Sequence, residues 1–155
     1  LKLFSRGLLK YIPEKFNMVK TESFQIKTNG YNDTQNITEQ INKIISRAGI
    51  NNGIALVSCP GSTAGITTIE FESGAVADLK RTLEKIAPEN GEYQHNERWH
   101  DGNGYAHVRS ALLKPFFSVS VIDGELVLGT WQQIIFIDFD NKSRTRKIYV
   151  QITGE

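Results

Sequence analysis

The last third of the chain leaves little freedom in how it can fold. Residues 116–122, 125–128, 131–139 and 144–153 read as strands, the third as a long alternating run, and what separates them is Asp123-Gly124, Gly129-Thr130 and a turn at Asn141-Lys142-Ser143. Asp-Gly between two alternating runs is a strong hairpin signal. Turns this short can only reverse a strand, because a parallel return needs a crossover of a dozen residues or more. Antiparallel sheet is therefore expected here.

The first two thirds supply further strands and the helices that cover them. Residues 20–28, 54–59 and 65–71 read as strands, the last rich in β-branched residues. Ile37, Ile41, Ile44, Ile45 and Ala48 recur at helical spacing, with Asn36 or Thr38 placed to cap the helix and Gly49 at its exit. Val76, Leu79, Leu83 and Ile86 mark a second helix, ended by Pro88. Residues 106–113 make a short helix at most, and the stretch before them reads as loop. The expected fold class is α+β: one domain, mainly antiparallel sheet with packed helices. No GxGxxG follows a strand and no P-loop is present.

Composition narrows the partners. A chain of 155 residues with 39% hydrophobic and 23% charged residues suits a single globular domain. A formal charge of +1 and the lack of a basic stripe argue against nucleic acid. No apolar run reaches membrane-spanning length. The lone Cys59 excludes an internal disulfide, and the expected location is cytoplasmic. Residues 1–17 stand apart, with Lys2, Arg6, Lys10 and Lys15 against Glu14 and only short apolar pieces. They read as an N-terminal extension that docks or meets a partner, ahead of a domain spanning 18–155 with Met18 as its natural start.

All three histidines, His95, His100 and His107, fall in YQHNERWHDGNGYAH. Imidazole ligates divalent metals and titrates near neutral pH, so the cluster suits a metal site or acid–base chemistry. Asp101, Asn103 and Glu97 can accept from ring N–H groups. A solvated loop histidine is the plainer alternative for each one alone. Three other stretches bear chemistry. The turn Gly61-Ser62-Thr63 offers backbone N–H groups to an anion, or is a plain hairpin loop. Arg144 and Arg146 share one strand face, where guanidinium forks suit phosphate oxygens or form a solvated edge. Trp131 and Gln132 follow Gly129-Thr130, with a core tryptophan as the default reading.

Together these pieces resemble the YjbQ-like family, often described as secondary thiamine-phosphate synthases. The resemblance rests on SCPGSTAGITTIE (58–70), YQH (93–95), DGNGYAH (101–107), DGELVLGTWQQ (123–133) and RTR (144–146), and runs from about residue 20 to the end. It implies a single α+β domain, a homotrimer, histidine metal ligands and a transferase activity. That activity joins a pyrimidine methyl diphosphate to a thiazole phosphate and releases pyrophosphate. The alternative is a non-catalytic trimer that binds metal or a small anion. Carried over, His95, His107 and Glu70 are the catalytic candidates. Gly61, Ser62, Thr63, Arg144 and Arg146 would bind the anion, and Asn103, Trp131 and Gln132 would line the substrate pocket. His95 and His107 would hold a divalent metal, zinc or magnesium. Family members carry a histidine where this chain has Gly61, so the third ligand would be Cys59 or His100.

Overall fold

The computed structural model describes residues 18–155; the extension at 1–17 lies outside them. Eight strands and four helices follow in the order β1 (Met18–Thr28), β2 (Asp33–Asn36), α1 (Thr38–Ala48), β3 (Gly53–Ser58), β4 (Ala64–Ile69), α2 (Ser73–Ile86), α3 (Gln94–Trp99), α4 (Gly104–Leu113), β5 (Phe116–Ile122), β6 (Glu125–Leu126), β7 (Gln133–Asp138) and β8 (Arg144–Gly154). All pairings are antiparallel, but only β5 and β6 are joined by a short turn; the turn at Asn141-Lys142-Ser143 carries the chain from one sheet to the other instead of closing a β7–β8 hairpin. They build two sheets, one of five strands ordered β1-β8-β3-β5-β6 and one of three ordered β2-β7-β4.

Strand β7 explains the layering. It is buried along its length, and its side chains alternate between two cores. Ile134 and Phe136 join Ile41, Ile44 and Ile45 of α1 and the inner face of the large sheet. Ile135 and Ile137 point the other way, to Leu83 of α2 and Tyr105 and Ala106 of α4. The small sheet is thus a middle layer, and the cover that β7 needs on both faces comes from its own chain.

Several expectations are corrected. Residues 60–63 are not a hairpin loop, since β3 and β4 lie in different sheets. Strand β2, of sequence DTQN, has no apolar pattern to announce it and forms because β7 offers it a ladder. The stretch ahead of α4 holds a helix, α3. Trp131 is neither in β7 nor in the core; it sits in the preceding turn and is 69% exposed. Helix α1 follows the reading at its exit, where Gly49 closes it at φ 68°; at its start the N-cap position falls on Ile37, which has no side-chain cap, and Asn36 one residue earlier accepts from Thr38 N at 3.0 Å. Among the described residues no helix is long and apolar enough to cross a membrane.

Candidate functional site

His95 lies on α3 and His107 on α4, twelve residues apart, so only the packing of the two helices can join them. Gly104 permits it. A Cβ there would sit 2.5 Å from Tyr93 Cβ and 2.9 Å from Asn96 Oδ1, so only glycine lets the start of α4 approach the start of α3 this closely. The Gly104 N–H then donates to Asn96 Oδ1 at 2.8 Å. The connecting loop turns through His100 and Gly102, both at positive φ, and Asn141 donates to Asp101 O at 2.7 Å, tying it to the β7–β8 turn.

The two rings meet, with centroids 4.4 Å apart and planes tilted by 50°. His95 Nε2 lies 3.3 and 3.4 Å from the two oxygens of Asp101. Asn103, almost fully buried, stands between them. With its amide nitrogen turned inward, Asn103 is 3.1 and 3.3 Å from the Asp101 oxygens, 3.2 Å from His95 Nε2 and 3.3 Å from His107 Nε2. An amide has two N–H groups, fewer than the acceptors around it. One assignment of protons leaves no conflict: His95 Nε2–H donates to Asp101, and Asn103 donates to Asp101 and to the bare Nε2 of His107. Partial desolvation pushes the Asp101 carboxyl up, but its hydrogen bond to His95, the His95 charge and backbone N–H bonds outweigh that, leaving it below the usual carboxylate range.

The other predicted residues do not join this pair. His100 is exposed at the C-cap of α3. Glu70 follows the far end of β4, whose near end, Ala64, pairs with Asp138. Five residues of strand put about 16 Å between those ends. Cys59 is buried beside Arg146 and Asp138, and burial pushes its thiol up to about 11. Among the described residues, no three His, Cys, Asp or Glu side chains come together to hold a metal ion.

Arg144 and Arg146 are already matched to acids. Arg146 grips Asp138 with a two-pronged fork at 2.7 and 2.6 Å and reaches Thr63 Oγ1 at 3.0 Å. Arg144 holds Asp140 at 2.8 and 2.7 Å. Thr63 and Thr28 complete the network, donating to Asp140 and Asp138 at 3.2 and 2.6 Å. A Cβ on Gly61 would stand 3.4 Å from Arg146 Nη1, so this guanidinium edge faces the 61–63 turn. Asp138 and Asp140 are functional candidates that reading the sequence passed over. The available signal was two aspartates spaced two apart, like the two arginines that follow them.

Comparison with known proteins places the family and the fold. The sequence model of the family described as UPF0047 protein YjbQ-like matches residues 22–155. A UPF0047 protein of Methanocaldococcus jannaschii is 38% identical over 133 residues, covering 85% of this chain and 93% of that protein. The UPF0047 protein YugU of Bacillus subtilis is 37% identical over 139 residues, 88% of this chain and 100% of its own length. Among solved structures, a YbjQ-like protein of unknown function from Sulfolobus solfataricus P2 superposes with a TM-score of 0.85 at 31% identity, covering 90% of this chain and 99% of the other. The chain therefore belongs to the UPF0047 YjbQ-like family.

Proposed function

We propose that His95, His107, Asp101 and Asn103 form one small-molecule site that supplies a proton to a phosphorylated substrate. The thiamine-phosphate type of condensation is the reaction to test first. The observation that carries this is the convergence of two imidazole Nε2 atoms and a carboxylate on one amide. In that reaction the thiazole ring nitrogen gives its lone pair to the pyrimidine methylene carbon. The bond from that carbon to the diphosphate oxygen breaks with its electron pair, and pyrophosphate leaves. Charge gathers on the leaving oxygens, so an aimed proton donor and fixed positive groups lower the barrier. In this reading His95 in its doubly protonated form is the donor: Asp101 holds its Nε2–H, the Nδ1–H goes to the leaving oxygen, and His107 makes the second contact. Arg146, at the mouth of the 61–63 turn, faces the phosphate. Its pairing with Asp138 leaves the pair with no net positive charge, so it orients the phosphate more than it neutralises it.

A divalent cation is the second reading, and it rests on the family resemblance. The residues present do not fit a closed three-ligand site. The acceptors face one point at hydrogen-bond distances, against about 2.0–2.2 Å for zinc bonds, and Gly61 has no side chain to add. Zinc or magnesium binding is therefore expected to be weak.

Self-association into a homotrimer belongs to the same proposal. What supports it is the outer face of the large sheet, where Ile54 and Leu56 of β3 sit in uncharged rows with Thr153 and Ser120, and with Gln151 and Ser118. Ile54 and Ile122 are each more than half exposed there.

The test is direct. Purified protein given the pyrimidine diphosphate and the thiazole phosphate should form thiamine phosphate and release pyrophosphate, at a rate lost in His107→Ala. No product from the natural chain, or an unchanged rate in the variant, overturns the enzymatic reading. Ligand binding without pyrophosphate release would favour the non-catalytic alternative.

A further inference from the structure

The turn that carries Trp131 is pinned. Gln132 N donates to Gly129 O at 2.9 Å, and Gly129 N donates to Gln132 Oε1 at 3.0 Å. Gln132 Nε2 donates to Thr68 Oγ1 at 3.0 Å, and Gln133 Oε1 accepts from Phe71 N at 2.8 Å, so the turn is stapled to β4 and to the residues that follow it. These bonds hold the backbone while the indole, the largest apolar side chain in the region, is left in water. The indole forms one side of a shallow, wide-open hollow of about 490 Å³, lined also by Thr68, Glu70, Gly129 and Gln132 among others. Among the described residues of that lining Glu70 alone is charged; it is exposed, and although its backbone carbonyl accepts from Glu72 N at 2.8 Å, its carboxylate makes no hydrogen bond or ion pair with any described residue.

We propose that this hollow is a binding site for a small organic cation, of the quaternary or ring-N-alkylated ammonium class, with Trp131 as the aromatic wall and Glu70 as the counter-charge. An indole face attracts a cation through its quadrupole. A single carboxylate makes the hollow favour cations and repel anions. The pinned turn means that the wall is already in place before the ligand arrives, so little ordering cost falls on binding. The site lies at the opposite end of β4 from the histidine pair and does not depend on the reading of that pair.

The test uses the whole chain labelled with nitrogen-15. Its two tryptophans, Trp99 and Trp131, give two indole N–H signals, assigned with Trp131→Phe. 1-Methylpyridinium is titrated at pH 8, with neutral pyridine as the comparator. The Trp131 signal should move along a saturating curve while that of Trp99 stays put. Pyridine should bind at least several-fold more weakly. Glu70→Gln, an exposed and nearly isosteric change, should weaken 1-methylpyridinium by about three- to fivefold, the size of an exposed ion pair. His107→Ala should leave the affinity unchanged. A shift that grows linearly without saturating, equal binding of pyridine, or no effect of Glu70→Gln overturns the proposal. So does a Trp131 signal that moves on dilution of the protein alone, which would mean that a second copy covers the hollow.

Discussion

Replacing Arg109 by methionine should cost this protein about 3 kcal/mol, although Arg109 touches no part of the proposed site. Arg109 is fully buried on α4, two residues after His107. Its Nε and one Nη donate to Ala87 O at 2.9 and 2.7 Å, and the other Nη donates to Asn32 Oδ1 at 2.8 Å. Glu84 and Glu89 lie at 2.5 and 3.5 Å. One guanidinium thereby ties α4 to the end of α2 and to the β1–β2 turn. Arg109→Met keeps the stem and removes the head. The side chains of Glu84 and Glu89 are 47% and 32% exposed and can take water instead. The loss falls on the Ala87 carbonyl and the Asn32 amide oxygen, at about 1–3 kcal/mol for each orphaned buried acceptor. The sum, about 3 kcal/mol, lies at the lower end of what breaking a buried ion pair costs. For a chain of 155 residues that is a fall in Tm of about 6–12 °C. Urea unfolding with an unchanged slope measures it. A loss below about 1 kcal/mol would refute the reasoning.

Two further outcomes follow from other parts of the fold. Burial raises the Cys59 thiol from about 9 to about 11, against the opposing pull of Arg146. A group raised on folding contributes stability that is whole below its unfolded value and is lost as pH climbs through the folded one. Stability should therefore fall between pH 9 and 11 more steeply in the natural chain than in Cys59→Ala, and equal slopes would contradict the burial argument. Gly61→His should tighten zinc binding, and His107→Ala should undo the gain. Because Gly61 has φ 144°, the variant should also lose about 1–2 kcal/mol of stability. Unchanged zinc affinity in a folded variant would remove Gly61 from the site.

The parts of the fold legible in the sequence are those where local chemistry and tertiary need coincide. Asp123-Gly124 dictates the β5–β6 hairpin, and the isoleucines of α1 are both its periodic signal and its buried face. Helix α3 was not legible because it buries no residue, so no apolar period marks it. The placement of Trp131 was obscured by the alternating run that follows it; the turn belongs to the hydrogen bonds of Gln132 with Gly129 and Thr68, which spacing does not reveal. His95 and His107 could be named as candidates from their motif. Their meeting depends on the close approach at Gly104, a fact of packing. Arg144 and Arg146 invited a phosphate, yet Asp138 and Asp140, spaced in the same way, hold them first.

The most direct test of the central claim, that His95 and His107 serve one ligand, is a carbon-13 NMR titration of the three histidine rings with pyrophosphate. The His95 and His107 ring signals should move together along one saturating curve, while exposed His100 serves as an internal control and stays fixed. The same curve should disappear in Asn103→Ala, which removes the amide that both rings face. Movement of only one of the pair, separate midpoints for the two, or equal movement of all three would contradict it.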